Sequence, residues 1–152
     1  VHFILCGEGI TPGNPALVEW ISETGREGNF HLLGRRPDIP RLTAALDAAC
    51  SSSFSAAFPN VVGEAMACGI PVAATDAGDT AFLMGDTGQP VPPRSPRDLA
   101  GALEGILTMS PRERSAVATA LRRRIEEHFS LEAMILRYQD LYEQAALSHA
   151  KA

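Results

Sequence analysis

The chain has 152 residues, 45% of them hydrophobic and 20% charged, which suits one globular domain with its own core and argues against disorder. Its net charge of −5 removes the basic track that nucleic acid would need. No segment is apolar enough over a sufficient length to span a membrane, and Val1–Cys6 is too short for a signal-peptide core, so the expected compartment is the cytoplasm. Cys6, Cys50 and Cys68 are odd in number, widely spaced and set in apolar runs. They read as small buried hydrophobes, not as a disulfide or a metal site. The chain opens without Met directly on an apolar run, which is the expectation for a fragment of a longer polypeptide.

Val1–Cys6 reads as a buried parallel strand closed by the Gly7-Glu8-Gly9 turn, which lacks the third glycine of a dinucleotide fingerprint. Asn14 and Pro15 then start a helix whose apolar stripe is Leu17, Trp20 and Ile21 and which stops before Gly25. Asn29–Leu33 is a second strand, and Gly34-Arg35-Arg36-Pro37 is the loop at its carboxyl end, where open α/β sheets bind ligands. Arg35 or Arg36 there either meets a nucleotide or is simply solvated. His31 has no identifiable partner and reads as structural.

A short helix follows around Leu42, Ala45 and Leu46, then a strand from Ala48 to Ser52. Asn60 is placed to cap a two-turn helix that runs to Cys68, with Gly69 at its end and Pro71 forbidding continuation. Helical spacing puts Asn60, Glu64 and Ala67 on one stripe and Val61, Ala65 and Cys68 on another. First-turn amides of such a helix lack intrahelical acceptors and sit at the positive end of the peptide dipoles, a site for an anion such as a diphosphate. Glu64 has two readings, a favourable dipole partner or an acceptor for the two hydroxyls of a ribose.

Val72–Ala74 is a buried strand, and Thr75–Thr80 a flexible loop whose Asp76 and Asp79 read as turn formers, not metal ligands. Phe82–Met84 and Gln89–Val91 flank a Gly85–Gly88 turn, and the prolines at 90, 92 and 93 argue against a central strand. From Ser95 the chain turns helical. Ser95-Pro96 starts one helix, Ser110-Pro111-Arg112-Glu113 is a capping box for the next, and Ser130 caps the last. Arg122-Arg123-Arg124 reads as a solvated, salt-bridged face opposite Glu126 and Glu127. Leu131, Met134, Ile135, Tyr138, Leu141 and Tyr142 read as core or interdomain contacts. Strands alternating with helices and then a helical tail predict an α/β layer domain over residues 1–152, with a parallel sheet flanked by helices.

The stretch Ser51–Asp76, with Gly85-Asp86-Thr87-Gly88 and Val91-Pro92-Pro93 after it, resembles the signature of the retaining, family 4 nucleotide-sugar glycosyltransferases of the GT-B fold. The resemblance extends from Gly34 to Tyr142 and implies the donor-binding, C-terminal Rossmann-like half of such an enzyme. It lacks the acceptor domain and the upstream segment with an Arg/Lys pair for the diphosphate. It implies a UDP-, GDP- or ADP-linked hexose as donor substrate, no cofactor and no metal, an acceptor glycan or lipid met by the missing domain, and peripheral membrane association of the whole protein. Glu64 matches the second Glu of the family's E-x7-E motif, which binds the donor ribose. Amides around Asn60, Val61 and Val62 would meet the diphosphate or base edge, the Phe58-Pro59 turn would shape the pocket, and Gly34 and Arg35 would lie beside the nucleotide. The first Glu does not match, since its position is Ala56. Without the acceptor domain and the upstream basic segment, the isolated chain is expected to be inactive. The alternative is a non-catalytic or degenerate nucleotide-sugar-binding module, and an epimerase of related fold is disfavoured because no general acid/base pair is evident.

Overall fold

A computed structural model describes residues 1–149 of the chain. The element order is β1 (Phe3–Leu5), α1 (Pro15–Glu23), β2 (Phe30–Leu32), α2 (Ile39–Ala44), β3 (Ala49–Ser51), α3 (Asn60–Ala67), β4 (Val72–Ala74), then α4 (Thr80–Met84), α5 (Pro96–Leu107), α6 (Pro111–Phe129) and α7 (Leu131–His149), as expected from the sequence except for α4. The strands pair in parallel, as expected. Their hydrogen bonds form two separate two-stranded ladders, one in each of two compact units, which divide at Ile39 and Pro40.

In the first unit β1 pairs with β2 in the register Phe3–Phe30, Ile4–His31, Leu5–Leu32. Asn14 caps α1 by accepting from the Leu17 amide at 3.3 Å, with Pro15 opening the helix. Ile21 is the one buried residue of α1. Trp20, expected on the packed stripe, is 65% exposed. His31 is exposed and sits 3.1 Å from the His2 ring nitrogen, the two rings stacked.

In the second unit β3 pairs with β4, Ala49–Val72 through Ser51–Ala74, and Val91 extends this ladder by a parallel bridge to Thr75. The Val91 amide donates to Ala74 O at 2.8 Å and the Asp76 amide to Val91 O at 2.7 Å. The segment joins the ladder only at its edge, in keeping with the prolines that argue against a central strand, because Pro90 and Pro92 flank the one residue whose N–H is needed. Phe82–Met84 belongs to α4. The core is Val62 and Met66 of α3, Val72 and Ala74 of β4, Leu83 and Met84 of α4, and Leu121 of α6. Each large side chain buried there contributes about 1.5–3 kcal/mol.

Two expectations about α3 need correction. Its cap is Pro59, with no side-chain capping bond, and Asn60 is the first helical residue. The buried stripe is Val62, Ala65 and Met66, while Val61 is 62% exposed. Val62 and Met66, four apart, face the Leu83 and Leu121 side, which sets the rotation of the helix.

The arginine run also differs. Arg123 makes the expected exposed i,i+4 pair with Glu127 at 3.7 Å. Arg122, however, donates to Cys68 O at the end of α3 at 2.9 Å, and Arg124 donates to Leu83 O and Phe82 O at the end of α4. Arg114 likewise donates to Ile106 O near the end of α5 at 3.0 Å. Terminal carbonyls are the unsatisfied, negative end of a helix, so guanidinium groups on a neighbouring helix are suited to them. The capping box of α6 is present in full, with Glu113 N to Ser110 Oγ at 3.3 Å and Ser110 N to Glu113 Oε2 at 2.8 Å. Ser130 caps α7 at Ala133 N. Along α7, Leu131, Met134, Ile135, Tyr138, Leu141 and Tyr142 are all exposed, so they are not part of this unit's core.

Candidate functional site

Three loops meet at the carboxyl edge of the second unit's ladder: residues 52–59 after β3, residues 75–79 after β4, and residues 92–94 after Val91. Strand ends in open α/β sheets are where ligands bind. The second loop holds the first in place. Thr75 Oγ1 donates to Ser53 O at 2.6 Å and to Ser51 O at 3.3 Å, and the Asp79 amide donates to Ala57 O at 2.9 Å. Thr75, Ala77 and Thr80 are buried, so the stretch expected to be a flexible loop is a packed turn. Gly78 sits at φ +58°, and a Cβ there would overlap the carbonyl oxygens of Ala56 and Ala57. Only glycine allows that approach.

Phe58 leaves this loop and packs its ring 5.9 Å from Phe129 at the end of α6, and Pro59 behind it is buried. The first turn of α3 is tight. The Asn60 amide donates to Phe58 O at 3.0 Å and the Val62 amide to Pro59 O at 2.9 Å, while no backbone acceptor is found for the Val61 amide. Of the three amides singled out in the sequence, Val61 is therefore the one open to an outside acceptor. Asn60, Glu64 and Ala67 form an exposed stripe, so the Glu64 carboxylate is free at the surface one turn in from the helix start. Ala56 is half-buried, with its carbonyl against Gly78.

Gly34 and Arg35 belong to the first unit. Gly34 has φ +61° at the end of β2 and is knitted to the turn after β1, its amide donating to Ile10 O at 2.8 Å and its carbonyl accepting from Gly7 N at 2.9 Å. Arg35 is exposed. Its neighbour Arg36 is engaged by Asp38 through two bonds of 2.8 Å, and these hold the Asp38 carboxyl below the usual aspartate range. Among the described residues no three His, Cys, Asp or Glu side chains gather as a metal site, and Asp76 and Asp79 stay exposed.

The sequence reading missed Arg94. It is the sole non-glycine residue with positive φ, at 62°, among the described residues. That conformation costs an L-residue about 1–2 kcal/mol. Its guanidinium lies 4.1 Å over the centroid of the Phe54 ring, in the loop after β3. Stacking of this kind at an exposed site returns about 0.5–1 kcal/mol. Two prolines precede Arg94, and no local signal in Pro93-Arg94-Ser95 marks the turn.

With the geometry in place, comparison with known proteins gives the family. Residues 1–109 match the family of glycosyl transferases group 1. A D-inositol 3-phosphate glycosyltransferase of Rhodococcus erythropolis is 36% identical over 107 residues, covering 69% of this chain and 24% of that protein. A crystal structure of HepE from Anabaena in complex with UDP superposes with a TM-score of 0.84 at 26% identity, over 95% of this chain and 41% of that one. A second structure of HepE holds UDP-glucose. The sucrose-phosphate synthase of Thermosynechococcus elongatus gives a TM-score of 0.80 at 26% identity, over 95% of this chain and 38% of that one. The chain thus spans about a quarter of the curated relative and about two-fifths of these solved structures. With parallel strand pairs wrapped by helices and GT-B glycosyltransferases as its structural neighbours, the chain belongs to the glycosyl transferases group 1 family.

Proposed function

We propose that this chain is the donor-binding, C-terminal part of a retaining, metal-independent family 4 glycosyltransferase, and that its donor is a UDP-linked hexose. The observation that carries this reading is the exposed Glu64 on α3, at the carboxyl edge of a ladder whose loop Thr75, Gly78 and Asp79 hold rigid. UDP is chosen because HepE binds UDP and UDP-glucose.

In this reading the Glu64 carboxylate accepts hydrogen bonds from both ribose hydroxyls. The Val61 amide and the positive end of α3 receive the diphosphate, whose charge grows as its bond to the sugar breaks. Phe58 and Pro59 form the wall beside it. The balance is simple: the bond from the sugar C1 to the diphosphate oxygen breaks, C1 bonds to an acceptor hydroxyl oxygen, and that hydroxyl's proton leaves with UDP as the other product. The acceptor, a glycan or lipid, is met by parts of the protein beyond these residues, and membrane association and a place in polysaccharide biosynthesis in the cytoplasm belong to the whole protein. These 152 residues alone are expected to bind donor and not to transfer its sugar.

Calorimetric titration of the full-length protein with UDP tests the reading, with Glu64→Ala expected to weaken binding about tenfold or more. Equal affinity in the two proteins would remove Glu64 from the site. A second reading, a degenerate donor-binding module, is favoured by Ala56 alone. Measured turnover with radiolabelled donor in the full-length protein separates the two. A rise in turnover on Ala56→Glu supports an enzyme that has lost one carboxylate, and no turnover in either form supports the module.

A further inference from the structure

We propose that Arg94 selects the sugar of the donor, and that this sugar carries a carboxylate, as a hexuronate does. The inference rests on the donor-site reading proposed above, with the sugar taken to lie at the loop after β3, where Ala56 stands at the position of the resembled motif's first Glu.

Three features point to it. Val91 bridges Thr75 in parallel, so the chain leaves the ladder at its carboxyl edge, and Arg94 emerges there, next to the loop that holds Phe54 and Ala56. The guanidinium carbon lies 4.1 Å over the centroid of the Phe54 ring, and among the described residues its N–H groups make no hydrogen bond. No carboxylate pairs with it. The ion pairs among the described residues are Arg36–Asp38 and Arg123–Glu127, and the nearest acid in sequence, Asp98, takes the Ser95 hydroxyl instead. The strained φ of 62° is the third feature, since glycine would hold this turn without penalty and the stacking on Phe54 offsets only part of the strain.

A fixed guanidinium with free edge donors recognises a planar two-oxygen anion by paired hydrogen bonds. Two residues from Phe54, position 56 is a neutral alanine, so the same loop offers no carboxylate to repel such a group. A neutral wall with one oriented cation suits a sugar bearing a carboxylate better than one bearing a primary alcohol.

The full-length protein is titrated calorimetrically with UDP, UDP-glucose and UDP-glucuronate, as wild type and as Arg94→Gly, a variant that relieves the backbone strain and keeps the fold. A Phe54→Leu variant removes the stacking platform by a second route. The wild type is expected to prefer UDP-glucuronate over UDP-glucose by about tenfold, and Arg94→Gly to abolish that preference while UDP and UDP-glucose change by less than about twofold. Phe54→Leu should reduce the preference in the same direction. A wild type that prefers UDP-glucose, or an unchanged ratio in Arg94→Gly, overturns the proposal. An equal loss for all three ligands also overturns it, by assigning Arg94 to the diphosphate. Failure of a folded wild type to bind UDP at all rejects the donor-site reading itself, which the UDP arm alone reports.

Discussion

Adding one methyl group at Gly78 tests whether the loop after β3 is held as tightly as its contacts imply. Gly78 has φ +58°, and an alanine there meets two obstacles. The left-handed conformation costs about 1–2 kcal/mol in an L-residue. The new Cβ would overlap the Ala56 and Ala57 carbonyl oxygens and lie 2.8 Å from the Ala56 carbonyl carbon. Backbone atoms cannot rotate aside as a side chain can, so the turn or the loop must shift, at the about 1–3 kcal/mol typical of overpacking. That shift also strains the Asp79 N–H to Ala57 O bond. Gly78→Ala should therefore lose about 2–5 kcal/mol in urea unfolding followed by circular dichroism. Gly63→Ala is the matched control. Its Cβ would stand 3.6 Å from Leu83 Cδ2, an ordinary contact, in a helix interior where alanine gains about 0.5–1 kcal/mol over glycine. The same atoms added fifteen residues apart should move the midpoint in opposite directions. A Gly78→Ala loss under about 1 kcal/mol, or shifts of one sign, would refute the claim that backbone contact fixes this loop.

Other changes have sharper expected sizes. Met66→Ala, at a fully buried position, should lose about 2–5 kcal/mol in the same unfolding assay. Arg122→Ala removes a charged donor from the end of α3 and should cost about 1–2 kcal/mol, whereas Arg123→Ala breaks only an exposed pair and should stay within about 0.5 kcal/mol. Equal effects would return the whole run to the solvated face. Acid sensitivity follows from two carboxylates held low, Asp38 by the Arg36 hydrogen bonds and Glu113 by those of Ser110. A depressed folded pKa stabilises the protein fully above the unfolded value and loses that stabilisation as pH falls through the folded one. The thermal midpoint should thus drop more steeply below about pH 4 in the wild type than in Asp38→Asn/Glu113→Gln.

The elements with strong local chemistry were legible. Asn14-Pro15 and Ser110 through Glu113 cap helices where expected, because a side chain and an amide three residues away settle the matter between themselves. Asn60 had equal standing as a cap and did not serve, since Pro59 fixes the entry and the first amides turn back on Phe58 and Pro59. The resemblance carried by Ser51–Asp76 was enough to give the family. What the sequence could not convey is set by partners far along the chain. The arginines of α6 find carbonyls 41 and 54 residues away, and Thr75 ties down a loop 22 residues earlier. Composition sees those residues only as polar. Arg94 left no trace at all, because positive φ at a non-glycine residue has no local signature.

Three guanidinium groups on one helix close the ends of three others: Arg114 at α5, Arg122 at α3 and Arg124 at α4. Such wiring makes fraying collective. If α6 lifts away, three helix ends lose their guanidinium donors at once and Leu121 leaves the core, so little is gained by releasing any one of them alone. Slow amide exchange in α3, α4 and α5 is then governed by one shared opening event, and the surface that presents Glu64 has the persistence of the whole second unit, not of an eight-residue helix.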